Sequence, residues 1–194
     1  ISLDLDEVAK SGGDAAERQT AVMYMLARYV LARHYYLTED SLSDFPDAYR
    51  EHHRVRIGEI REDPKRIVYD EFHRTSKARA VRDQVILDMR EGRKWNVQIA
   101  LISQSLDDFD PVMVEFGTSV FIMDAGPEQA IKRSTDIFGL SETARVALKT
   151  RVHGPREGGA TFLAQFATKA GVNTQLLTST LGPVELWAFS TTAE

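Results

Sequence analysis

The stretch Arg66-Ile67-Val68-Tyr69-Asp70-Glu71-Phe72 decides how this chain is read. Behind Pro64, Ile67-Val68-Tyr69 is β-branched and aromatic, which predicts a short buried strand. Its C-terminal end delivers two adjacent carboxylates. Open parallel sheets take their ligands outside the carboxyl ends of their strands, and strand alternation points Asp70 and Glu71 in different directions, which lets them take different roles. For nucleotide hydrolysis, Asp70 would hold the shell of a Mg²⁺ ion through water, and Glu71 would orient and deprotonate the attacking water. The plainer reading is that the pair ends a strand and caps the next turn. Asp4-Leu5-Asp6-Glu7 is a decoy of the same sort.

A second apolar run, Ile99-Ala100-Leu101-Ile102, ends in Ser103-Gln104-Ser105. Strands adjacent in sequence are usually neighbours in the sheet, which brings Gln104 beside Asp70 and Glu71. A neutral amide there can sense a γ-phosphate or the attacking water without adding charge. Alone, a strand-end glutamine bonds loop backbone; two strand ends with complementary groups make a nucleotide site. Between the two strands a helix is expected over Lys77–Glu91. At ~100° per residue, Arg79, Arg82, Ile86, Arg90 and Arg93 share one stripe if the helix persists that far, beside an apolar stripe of Ala78, Val81, Val85 and Met89. The stripe is a solvated basic face, or a positive surface for phosphates of a neighbouring subunit or a nucleic acid. Arg93 stands apart, after Gly92 and before the strand that leads to Gln104. It is the candidate arginine finger.

Outside this centre, strands and helices continue to alternate. A helix is expected from Asp14, with Glu17 completing a capping box, to about Tyr36. Its middle, Ala21-Val22-Met23-Tyr24-Met25-Leu26-Ala27, is apolar all round, as for a helix buried on several sides. Pro46 opens a second helix towards Ile60. Val97–Ser103 and Ser119–Met123 read as strands, Pro111–Phe116 and Glu128–Phe138 as helices. This pattern predicts an α/β fold with a parallel sheet covered on both faces. From Gly159 the pattern changes to Thr161–Phe166, Thr174–Thr180 and Val184–Ser190, three antiparallel strands extending the sheet edge. The whole reads as one domain, residues 1–194.

The composition is that of a globular protein, with 43% apolar and 27% charged residues. A net charge of −5 restricts any nucleic-acid binding to a local patch. With no cysteine, disulfides and thiolate metal sites are excluded. The apolar run Thr20–Ala32 is broken by Arg28 and too short to span a bilayer. No signal peptide opens the sequence. Ile1-Ser2-Leu3-Asp4-Leu5 already reads as a strand with no lead-in, so the expectation is a chain that continues upstream. His34, His52, His53, His73 and His153 show no metal-ligand spacing.

Nowhere does G-x-x-x-x-G-K-[ST] occur, and none of the 12 glycines precedes a lysine. The phosphate cradle that would complete the site lies outside this sequence.

Taken in order, Ile-Val-Tyr-Asp-Glu-Phe-His-Arg (67–74), Glu-Gly-Arg-Lys-Trp-Asn (91–96), Ile-Ser-Gln-Ser (102–105) and Gly-Pro-Val-Glu-Leu-Trp-Ala-Phe-Ser (182–190) resemble the traffic ATPases of type IV secretion, the DotO/IcmB branch and its conjugation relatives above all. The ordered set covers nearly the whole chain. The resemblance implies the C-terminal part of a RecA-like P-loop domain, binding ATP and Mg²⁺ in the full-length protein. That protein would work as a hexamer in the cytoplasm at the inner-membrane base of the secretion channel. It would stand with other secretion components and a second ATPase, and move protein or nucleoprotein cargo. By position, Asp70 and Glu71 match the Walker B pair and Gln104 the glutamine beside the γ-phosphate. Arg93, eleven residues before Gln104, matches the arginine that serves a neighbour's ATP, although Lys94 is adjacent. The missing P-loop departs from the family and argues against ATPase activity by this piece alone. The alternatives are a DNA-pumping translocase of the FtsK/HerA type, which would set the arginine stripe on DNA, and a non-catalytic assembly or docking module.

Overall fold

The computed structural model describes residues 13–74, 78–182 and 184–185. The expected strand Ile1–Leu5 and the Asp4–Glu7 run lie outside them. The architecture is mixed α/β, with a parallel two-stranded sheet and an antiparallel four-stranded sheet, each with helices. Where the sequence pattern reads as one domain, contacts gather in two compact units, residues 1–116 and 117–194.

In the first unit, α1 (Gly13–Ala32) runs into a 3₁₀ turn at Arg33–Tyr36. Pro46 precedes the 3₁₀ turn Asp47–Tyr49, which opens α2 (Arg50–Glu62). Then come β1 (Lys65–Tyr69), α3 (Arg79–Glu91), β2 (Val97–Leu101) and α4 (Pro111–Phe116). β1 and β2 pair in parallel, from Lys65 opposite Val97 to Tyr69 opposite Leu101. The right-handed βαβ crossover rule needs α3 between them, and its apolar stripe supplies the packing face. Val81 and Val85 join Tyr69, Phe72 and Met113 in a buried cluster, with Ala21, Tyr24 and Met25 of α1 against it.

Gly92 ends α3 where the chain turns tightly back. A Cβ there would lie 2.5 Å from the carbonyl oxygen of Val97, so only glycine lets the 3₁₀ turn Gly92–Trp95 close on β2. Asn96, at φ +54°, completes the reversal, and its side-chain amide donates to the carbonyl of Glu62 at 2.8 Å. The helix therefore stops at Glu91. Arg93 sits in the turn rather than on the helical stripe of Arg79, Arg82 and Arg90.

The middle of α1 is not buried on all sides. Val22 is 64% exposed and Leu26 51%, while Tyr24 and Met25 face the core. A continuous apolar run cannot say which of its faces finds a partner.

In the second unit β3 (Ser119–Ile122), α5 (Glu128–Phe138), α6 (Glu142–Arg151), β4 (His153–Arg156), β5 (Gly159–Thr168) and β6 (Gly171–Ser179) follow one another. β5 pairs antiparallel with β6 along its length, and with β3 and β4 on its other edge. The expected antiparallel C-terminal strands are thus present in β5 and β6. β3 departs from expectation: its partner is β5, antiparallel, rather than a parallel neighbour in the first sheet. A four-residue strand carries no direction signal of its own, and Ile122 opposite Leu163 contributes to the core built by Ile131, Ala144 and Leu148. The strand expected at Val184–Ser190 also differs: Val184 and Glu185 are helical, and the remainder lies outside the described residues. No helix among the described residues is long and apolar enough to cross a membrane.

Candidate active site

The parallel register builds the site. With Tyr69 level with Leu101, the chain leaves both strands side by side: the Ile102 amide donates to the Tyr69 carbonyl at 3.0 Å, and the Phe72 amide to the Ile102 carbonyl at 2.9 Å. Asp70 and Glu71 are thereby held against the segment that carries Gln104. The Gln104 amide nitrogen lies 3.1 Å from Glu71 Oε2, so three of the four residues singled out in the sequence meet.

Glu71 is not aimed by strand alternation, because β1 ends at Tyr69. Its φ of +50° puts it in the left-handed region, where a non-glycine residue costs roughly 1–2 kcal/mol. The next residue offsets this. Phe72 is fully buried in the core cluster, where an aromatic side chain contributes roughly 1.5–3 kcal/mol. Asp70 Oδ1 accepts from the Glu71 amide at 2.9 Å, and the Arg74 amide donates to the Glu71 carbonyl at 3.0 Å. Buried Phe72 and this bonded turn swing the Glu71 carboxylate towards Gln104.

His73 meets the same carboxylate, with Nδ1 3.0 Å from Glu71 Oε2. The search for metal spacing passed over it; its signal is simply its place two residues beyond a candidate base, on the turn that base requires. Behind Gln104, Ser103 donates its hydroxyl to Asp108 at 2.5 Å, and the Ser105 hydroxyl accepts from the Asp107 amide at 3.2 Å.

Helix α1 grips the same strand end. The Tyr24 hydroxyl donates to the Asp70 carbonyl at 2.9 Å, and its ring stacks on Tyr69 with centroids 6.3 Å apart. One turn on, Arg28 forms a two-pronged pair with Asp88 of α3, its Nε 2.6 Å from Oδ2 and its Nη2 bonded to Oδ1. Asp88 is buried, and also receives Gln84 at 3.0 Å and the Tyr69 hydroxyl at 3.4 Å. The bond to Asp88 holds the Arg28 guanidinium pKa above its usual value, and burial raises the Tyr69 phenol above the ordinary tyrosine range. Removing one partner strands a buried charge. Asp88→Ala is therefore expected to cost about 3–5 kcal/mol in urea unfolding, with an Arg28→Met/Asp88→Leu double replacement costing far less. A single-variant loss below about 1 kcal/mol would show that the pair is not desolvated.

The fourth residue, Arg93, is exposed at the opposite end of β2 from Gln104. The five residues of β2 alone span roughly 16 Å at ~3.3 Å per residue, so Arg93 does not join Glu71 within this unit. Lys94 beside it lies 5.3 Å over the Trp95 ring. Two members of the arginine stripe are likewise engaged: Arg79 pairs with Asp83 at 3.5 Å, and Arg90 sits 5.6 Å over the Phe116 ring.

Asp70 is exposed at the strand end. No group of three or more His, Asp or Glu able to hold a metal occurs among the described residues. One carboxylate nevertheless fits Mg²⁺, which keeps several waters and takes its remaining ligands from substrate phosphates. Comparison with protein-family models, with curated proteins and with solved structures found no match.

Proposed function

We propose that this chain is the Walker B half of a RecA-like ATPase that powers a type IV secretion machine, with ATP phosphates held by a P-loop encoded outside residues 1–194. The observation that supports it best is the approach of Gln104 to Glu71 at 3.1 Å across two parallel strand ends. A base must be aimed before it can abstract a proton from water, and Glu71 is aimed by a strained turn anchored on buried Phe72. Gln104 keeps that carboxylate in place and offers its amide oxygen to the water or phosphate. Asp70 takes the Mg²⁺ shell through water, and the ion neutralises charge that develops on the transferred phosphoryl group. Arg93, remote from its own Glu71, serves a neighbour in a ring. The occupied side chains of Arg79 and Arg90 speak against the DNA-pumping alternative.

The test compares residues 1–194 alone with a longer chain in which a G-x-x-x-x-G-K-[ST] segment precedes residue 1. The short chain is expected to fold with little ATPase activity, and the longer one to show Mg²⁺-dependent turnover. A folded longer chain that binds ATP without turnover would make this a non-catalytic module. Glu71-dependent turnover by residues 1–194 alone would overturn the division of the site.

A further inference from the structure

One surface of the first unit is left over by this account. α1 carries two apolar faces. Ala21, Tyr24 and Met25 pack on the core, and Arg28 reaches Asp88 from the same side. About 130° round the helix, at ~100° per residue, Val22 (64% exposed), Leu26 (51%), Tyr29 (59%) and Val30 (51%) face outward. Singly exposed apolar residues are ordinary, but a contiguous stripe of four marks a contact surface. Positions 15, 19, 22, 26, 29 and 33 are spaced alternately by four and three residues. That is the seam spacing of two helices packed at a shallow angle.

We infer that this face pairs with α1 of a second copy of the chain, antiparallel. The charges along the helix choose both the occupant and its direction. Asp14 and Glu17 stand in the first turns and Arg33 directly beyond the last, all exposed. Parallel pairing would set like charges side by side and align the two helix dipoles; antiparallel pairing sets Asp14 and Glu17 across from the partner's Arg33 and opposes the dipoles. In the register that matches the seam, Val22 of each copy packs on Leu26 of the other, Gln19 meets Tyr29, and Ala15 meets Arg33 with Asp14 at its side. The remaining cation near the seam, Arg18, lies opposite Val30, where its aliphatic stem covers apolar surface and its head stays in water. The chain is thus complementary to itself along this helix without any third component. Because Tyr24 and Arg28 project from the other side of the same helix, the contact lies directly behind the Asp70 carbonyl.

A single helix–helix seam buries less than the ~1,200 Å² of the smaller stable interfaces, so affinity in the micromolar range or weaker is expected. Sedimentation equilibrium of residues 1–194 from roughly 10 µM to 1 mM spans that range. A reversible monomer–dimer equilibrium is expected. Leu26→Glu should weaken it at least tenfold while leaving the thermal midpoint of the monomer unchanged, since Leu26 touches no core residue. Arg33→Glu should weaken it too, and adding Asp14→Lys to Arg33→Glu should restore it, because the ion pair is reformed with its signs exchanged. A chain that stays monomeric throughout overturns the inference and assigns the stripe to a different partner. Dimers indifferent to Leu26→Glu place the contact elsewhere, and failure of the exchanged pair to recover rules out the antiparallel register. None of these outcomes depends on nucleotide hydrolysis, so they stand apart from the proposed ATPase activity.

Discussion

Glu71→Gln is expected to lower the turnover of the P-loop-bearing chain by about 10²–10⁴-fold, with nucleotide affinity changed by no more than a few-fold. The replacement keeps the shape of the side chain and one carbonyl oxygen, which can still accept from the Gln104 amide now 3.1 Å from Oε2. The left-handed backbone at Glu71 is set by Phe72 and the bonds on either side of it rather than by the carboxylate, so the turn survives. What disappears is the group able to take a proton from water. Phosphate contacts lie elsewhere, and binding therefore persists while the chemical step fails. The measurement is steady-state phosphate release beside titration of a fluorescent ATP analogue. Turnover near the wild-type rate would remove Glu71 from the role of base and point to His73, whose Nδ1 lies 3.0 Å from the same oxygen. Loss of binding and turnover together would identify a structural role instead.

The part of this site that could be read in the sequence is the part that parallel pairing carries. Ile67-Val68-Tyr69 and Ile99-Ala100-Leu101 are apolar enough to be strands. Once β1 and β2 lie in register, the residues that follow each are neighbours by geometry. Asp70, Glu71 and Gln104 came together for that reason, and Arg93 fell at the far end for the same one. Non-local choices were not legible. Nothing within Ser119–Ile122 says that its partner is β5 or that the pairing is antiparallel. The apolar middle of α1 reads as buried because composition records apolarity and not how many faces find partners. His73 acquires meaning only from the φ of Glu71, a property of the turn that no residue type announces. Helix α6 is a different omission, since its signal was present. Ser141 caps it by accepting from the Ala144 amide at 3.2 Å, Glu142 stands in its first turn, and Ala144 and Leu148, one turn apart, are buried. Gly139, at φ +60°, closes α5 just before, so the glycine–serine junction between two helices was written in the sequence.

Arg93 carries the second large effect, and its direction follows from where β2 puts it. A cation stabilises the phosphoryl transition state only within contact distance. Arg93 leaves the chain before β2, whereas Glu71 and Gln104 gather beyond the other end of the sheet. Within one copy it cannot reach the phosphates its own Glu71 attends. In a ring it can face the site of the next subunit, and a finger of that kind is worth about 10³–10⁵ in rate. Arg93→Ala in the P-loop-bearing chain should therefore lose turnover on that scale while ATP still binds. Complementation separates this from a structural loss. Subunits with an inactivated P-loop and intact Arg93 are mixed with subunits carrying Arg93→Ala and an intact P-loop. Neither parent turns over appreciably, and the mixture recovers activity because intact arginines then face intact sites. Lys94 is a poorer finger, since its ammonium already lies over Trp95 at 5.3 Å and it offers a point charge rather than a planar fork. Lys94→Ala should consequently leave most of the rate. If mixed rings with demonstrated subunit exchange stay inactive, Arg93 does not act across the interface, and Arg82 becomes the next cation to test, because Arg79 and Arg90 are held by Asp83 and Phe116.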